Sequence, residues 1–205
     1  MKNQKIILRT VIITAFFSIA YAILRYNIFG NVPWKDFPLY VMNKAISLTA
    51  IILFAISSNS IYKTYISEKR VQLRVIINTI SFSLIITHVL ISLLLFKPVV
   101  FTKFFEENGT VTFFTGISML AGIISFVLLL INKLNLFSSI RYNNTQSILP
   151  LSLNVIMIFV FLHLLFMGFS GWITPQKWYG GMPPISLIAI IFSTFILFQK
   201  SKRIS

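Results

Sequence analysis

The chain has two histidines, His88 and His163, and each falls inside a long apolar run. Imidazole ligates metals and changes charge near neutral pH, so it is the side chain most able to do chemistry in such a place. An ionisable group at that depth is costly and marks a functional site by default, each histidine being the other's natural partner. With no cysteine in the chain, disulfides, zinc-thiolate sites, iron–sulfur clusters and thiol catalysis are excluded. No Asp or Glu lies in the same runs to complete a zinc or copper site. Two imidazoles from facing helices are sufficient for haem, because the macrocycle supplies the other four nitrogen ligands.

The elements that must position them follow from composition. The 205 residues are 57% hydrophobic and 11% charged, with a mean hydropathy of +0.87, whereas soluble domains carry about 25% charged residues. A bilayer core about 30 Å thick takes about 20 apolar residues per helix. Runs of that kind occur at Thr10 to Phe29, Leu39 to Ser58, Val75 to Phe96, Val111 to Asn132, Leu149 to Phe169 and Pro184 to Gln199. The expected fold is an all-α integral membrane protein, a single domain over residues 1–205 forming a six-transmembrane-helix bundle. The last run is short, but it starts after Pro183-Pro184, and proline is tolerated in a first helical turn. His88 follows Val75 by 13 residues and His163 follows Leu149 by 14, which places both imidazoles roughly 20 Å from the inner end. Spans three and five run in the same direction, so the two share one depth in the outer half of the bilayer.

Charge sets the orientation. Of the 18 Lys and Arg, 12 fall on the side of the termini and 6 on the other, and the excess belongs in the cytoplasm. Both termini are therefore expected to be cytoplasmic, with Trp34, Trp172 and Trp178 in or beside the outer loops. Lys2, Lys5 and Arg9 before an apolar stretch, with Ala20-Tyr21-Ala22 behind it, imitate a secretory signal, but another span follows rather than a polar mature domain. The net charge of +14 raises the question of nucleic acid, and the placement of the cations between apolar runs answers it in the negative. Gly-rich phosphate loops are absent, and Gly180-Gly181 reads as a turn. Asn108-Gly109-Thr110 and Asn143-Asn144-Thr145 read as short polar loop segments.

A porphyrin needs a greasy slot closed by cations at the water surface. Phe82, Leu84, Ile85, Phe159, Phe161 and Leu164 offer apolar bulk near the histidines, and Arg25 and Lys44 lie toward the outer face, where propionates would be. Those two cations are also what snorkelling side chains look like. Near the inner face Arg74, Lys133 and Arg141 form a cationic collar suited to a flavin pyrophosphate or an anionic quinone; as ordinary positive-inside anchors they would face lipid phosphates instead. Gly116, Ser118, Ala121 and Gly122 in span four mark close packing, within one chain or in a homo-oligomer.

Three segments resemble the membrane domain of the STEAP metalloreductases, within the ferric-reductase-like group that includes the haem subunit of bacterial methionine sulfoxide reductase. They are Phe37-Pro38-Leu39-Tyr40-Val41-Met42-Asn43-Lys44 at the opening of span two, Arg74 followed 14 residues later by His88, and His163 with Gly168 and then Pro183-Pro184. The resemblance implies one b-type haem ligated by His88 and His163, Asn43 with Lys44 on its propionate side, a flavin (FAD) in the inner half, and electrons passed outward to a metal ion or other acceptor. Eukaryotic members carry a cytoplasmic NADPH-binding domain that this sequence does not contain, and the segment from Arg141 to His163 is slightly longer than its counterpart.

The functional expectation is thus a b-type haem electron-transfer protein, an oxidoreductase or its haem subunit, in the cytoplasmic membrane. A flavin, quinol or partner flavoprotein would donate from the cytoplasmic side, and ferric or cupric ion or a redox partner protein would accept on the outer face, where Trp34, Lys35, Trp178 and Tyr179 could dock it or could simply form an aromatic belt. Two other classes stand beside it. One is a transporter in which His88 and His163 relay protons or bind a transported metal, although the spans lack the mid-depth Asp or Glu such relays commonly use. The other is a cofactor-free structural subunit of a membrane complex.

Overall fold

The computed structural model describes residues 2–58, 68–141 and 153–198, with side chains described for 5–58, 73–133 and 153–198. These residues form α1 (Lys2–Ala22), α2 (Met42–Ser58), α3 (Glu68–Leu95), α4 (Phe113–Arg141), α5 (Leu153–Trp172) and α6 (Ile185–Phe198). Six helical segments are long and apolar enough to cross a membrane: Lys5–Ile28, Trp34–Ser58, Leu73–Leu95, Phe113–Lys133, Leu153–Trp172 and Tyr179–Phe198. The fold is all-α and multi-pass, as hydropathy predicts. Residues 149–152 of the predicted fifth span, and the Asn143 sequon, lie outside the described residues.

Within a bilayer, lipid is as apolar as leucine, so helices associate through close packing of small residues and interhelical hydrogen bonds. The most buried helix, α2, shows both. Ala45, Ala50 and Ala55 are buried on it, beside the fully buried Leu48 and Leu53, and Ser81 of α3 donates 2.7 Å to the Ala50 carbonyl. Helix α2 packs against α1, α3 and α6, while α4 packs on α5 and α5 on α6. Large apolar side chains such as Phe16, Leu94 and Phe113 point outward, where lipid would cover them.

Two trios result, α1–α2–α3 and α4–α5–α6, joined along α2 and α6. At the end that carries the termini they meet through Phe54, Ala55, Met157 and Ile196. Among the described residues α3 packs chiefly along α2, touching α4 through Lys133, and the helices bearing His88 and His163 are not a closely packed pair.

The opposite end of the bundle, called the far end below, is built from irregular helix. Helices α1 and α2 pass into π-helical turns at Ile23–Ile28 and Phe37–Val41, a geometry that is rare and concentrates at functional sites. The first turn buries three successive polar-headed residues, Arg25, Tyr26 and Asn27. Tyr21 donates 2.6 Å to the Pro183 carbonyl and Arg25 donates through Nη1 to that of Met182, clamping the loop ahead of α6. Trp172 donates 3.0 Å to Ser186 Oγ, fastening α5 to α6. Gly168 makes that approach possible: a Cβ there would lie 2.5 Å from Trp172 Nε1 and 2.6 Å from Ser186 Oγ. Gly168→Ala is expected to cost about 1–3 kcal/mol through overpacking, read as a lower thermal midpoint in detergent.

Candidate functional site

The two imidazoles lie at comparable heights on helices of the same direction. His88 is 7 residues before the end of α3 at Leu95, and His163 is 9 before the end of α5 at Trp172, or roughly 10 and 14 Å of helical rise. Both are half-buried.

Each ring is held by the same nitrogen. His163 Nδ1 lies 2.8 Å from the Ser118 carbonyl oxygen, which can only accept, so Nδ1 carries the proton and Nε2 keeps a lone pair. Ser118 adds a return bond, its hydroxyl donating 2.8 Å to the His163 carbonyl. His88 Nδ1 lies 2.9 Å from Asn43 Oδ1, and Asn43 Nδ2 donates 2.9 Å to Ser92 Oγ. Neither Nε2 has a hydrogen-bond partner among the described residues, and neither is sealed from the surface. Metal-ligating histidines are usually oriented through the other ring nitrogen in this way.

Gly122 supports His163 by having no side chain. A Cβ at that position would lie 2.8 Å from Nδ1 and 3.2 Å from Cε1 of the ring. Together with Ser118 and the buried Ala121, Gly122 belongs to the packing of α4 on α5, so these small residues serve contacts within one chain. Gly116 instead faces open space.

The predicted cations divide. Arg25 is buried between the rings of Tyr26 and Tyr179, with Nε unpartnered among the described residues. Its position behind the α6 loop is that of a clamp. The Lys44 ammonium sits 5.1, 4.6 and 5.8 Å from the ring centres of Tyr26, Tyr40 and Phe101, close enough to act electrostatically on His88. Desolvation first, and the Lys44 charge second, hold the Lys103 ammonium below the usual lysine range. Asn43, next to Lys44, turns its amide to His88 instead of outward.

At the end carrying the termini, Arg74 donates 2.9 Å to the Ser57 carbonyl that ends α2. Lys133 turns inward, buried, donating 3.2 Å to Thr79 Oγ1 and lying 5.8 Å from the Phe82 ring centre. The Arg141 side chain lies outside the described residues. Of the outer docking candidates, Trp34 is exposed, while Trp178 is tied to the Gly171 carbonyl at 2.8 Å. Sequence reasoning did not single out Ser118 or Gly122 as histidine supports, and it missed Ser92 altogether.

Among the described residues no cluster of three or more His, Cys, Asp or Glu is assembled. Comparison with protein-family models, curated proteins and solved structures finds no match for this chain.

Proposed function

We propose that this chain is a transmembrane electron-transfer protein that holds one b-type haem between α3 and α5, with His88 and His163 as axial ligands. The observation that carries the reading is the paired imidazoles at comparable heights, each with Nδ1 engaged and Nε2 without a hydrogen-bond partner among the described residues. The donor set fits. Two neutral imidazoles cannot complete a tetrahedral or octahedral site alone, but they satisfy a macrocycle that brings four nitrogens. Bound there, haem would supply a one-electron couple.

The residues of the chain have distinct tasks in this reading. Gly122 and Ser118 set the His163 ring, and Asn43 sets His88. Half-buried Phe82, Ile85 and Phe161 would provide apolar surroundings for the macrocycle. Lys44 supplies positive charge at the far end, where propionates would be met, while Arg25 clamps the loop ahead of α6. Arg74 and Lys133 place positive charge at the end of the termini, where an anionic donor such as a flavin or a quinone would approach. By the distribution of Lys and Arg that end is cytoplasmic, and the acceptor on the far side is an outer-face ferric or cupric ion or a redox protein. The resemblance to the STEAP membrane domain leads to the same assignment.

A reduced-minus-oxidised absorption spectrum of detergent-purified protein, with pyridine extraction to count haem, tests it. The expected result is a low-spin b-type spectrum at about one haem per chain. Protein that stays colourless after expression with ample haem, and after reconstitution, would overturn the proposal and move attention to transport by the histidine pair.

A further inference from the structure

The two histidines are anchored by partners of different kinds. At His163 the acceptor is a backbone carbonyl, and no side-chain exchange removes it. At His88 it is a side-chain amide from another helix, 45 positions away in sequence. An amide presents an acceptor at one end and a donor at the other. With Oδ1 toward the ring, His88 carries its proton on Nδ1 and leaves Nε2 able to ligate; with Nδ2 toward the ring, the proton moves to Nε2 and ligation is disfavoured. The amide stands in the first orientation, its Nδ2 donating to Ser92 Oγ, and burial of Asn43 keeps water from competing.

We propose that Asn43, held by Ser92, is a positioning residue that sets the tautomer and ligand strength of His88, and of His88 alone. This deepens the haem reading and assigns Asn43 a role other than meeting propionates. An acceptor on Nδ1–H pushes electron density toward Nε2, and a stronger acceptor pushes more. The relay Ser92–Asn43–His88 therefore tunes one axial ligand independently of the other, whose anchor is main chain.

The tautomer can be read without haem. In full-length protein labelled with 15N-histidine, purified through a tag lacking histidine and kept haem-free in detergent, only two imidazoles contribute signals. Both are expected as Nδ1–H tautomers. Asn43→Leu is expected to shift His88 toward Nε2–H and leave His163 unchanged, which also certifies the fold; Asn43→Asp keeps Nδ1–H. Should Asn43→Leu fail to fold, the smaller Asn43→Ala is expected to give the same shift at His88. An Nε2–H His88 in the wild type, or a His88 signal indifferent to these substitutions, overturns the assignment whether or not the protein binds haem. In haem-loaded protein, Asn43→Asp is expected to lower the midpoint potential and Asn43→Leu to raise it, because a more electron-rich imidazole favours the oxidised iron. Equal potentials in all three proteins would overturn it as well.

Discussion

His88→Ala and His163→Ala are each expected to abolish the low-spin haem spectrum while leaving a folded protein. Outer-shell partners of metal-bound histidines cost about 10–100-fold in affinity when removed, and removing the ligand itself is expected to cost at least that. The fold survives because little of it depends on either ring. Each loss breaks one imidazole hydrogen bond, worth about 1 kcal/mol, and neither ring belongs to the buried apolar clusters that join the helices. Exogenous imidazole fits the space vacated and is expected to restore the low-spin spectrum partially. The measurement is haem per chain by pyridine extraction, beside the thermal midpoint of the same preparation. Retention of full colour by both variants would exclude the bis-histidine site. A colourless wild type would exclude it earlier, and would leave the pair to proton or metal transport, which the described residues support with no acidic partner.

What the sequence made legible was axial position; what it withheld was rotation about the helix axes. The six spans follow from hydropathy because each must satisfy its backbone internally while facing lipid. The start of α6 follows from Pro183-Pro184, and Ile185 is the first residue of the helix. Helix α1 extends back to Lys2, beyond the predicted Thr10, since Lys5 and Arg9 interrupt an apolar run without interrupting a helix that they favour. The π-helical turns at Ile23–Ile28 and Phe37–Val41 carry no comparable signal in the sequence. Counting residues along α3 and α5 fixes how deep His88 and His163 lie, but not which neighbours they meet. The contact of Asn43 with His88 depends on how α2 is rotated against α3, and periodicity in nearly all-apolar helices leaves that undetermined. For the same reason Lys133 reads in sequence as a collar residue facing phosphates, whereas its ammonium turns inward to Thr79.

Gly122→Ala is expected to reproduce much of the His163→Ala phenotype with a single methyl group. On an exposed helix that exchange stabilises by up to about 1 kcal/mol, alanine being the better helix former. Here the new Cβ would stand 2.8 Å from His163 Nδ1, 3.2 Å from Cε1 and 3.4 Å from Cγ, so the ring has to move. The edge it would push against is the one bonded to the Ser118 carbonyl, and a ring displaced from that bond loses both its orientation and the reason for its tautomer. Haem retention is expected to fall about tenfold or more, the scale of an outer-shell defect, and the His163 15N signal to shift while that of His88 stays. Gly116→Ala supplies the control on the same helix, because nothing lies within 4 Å of a Cβ there. It is expected to match the wild type in haem content and to equal or exceed it in thermal midpoint. Equal haem retention by the two alanine variants would mean that the His163 ring tolerates displacement, and the site would then need a looser geometry than two fixed axial ligands.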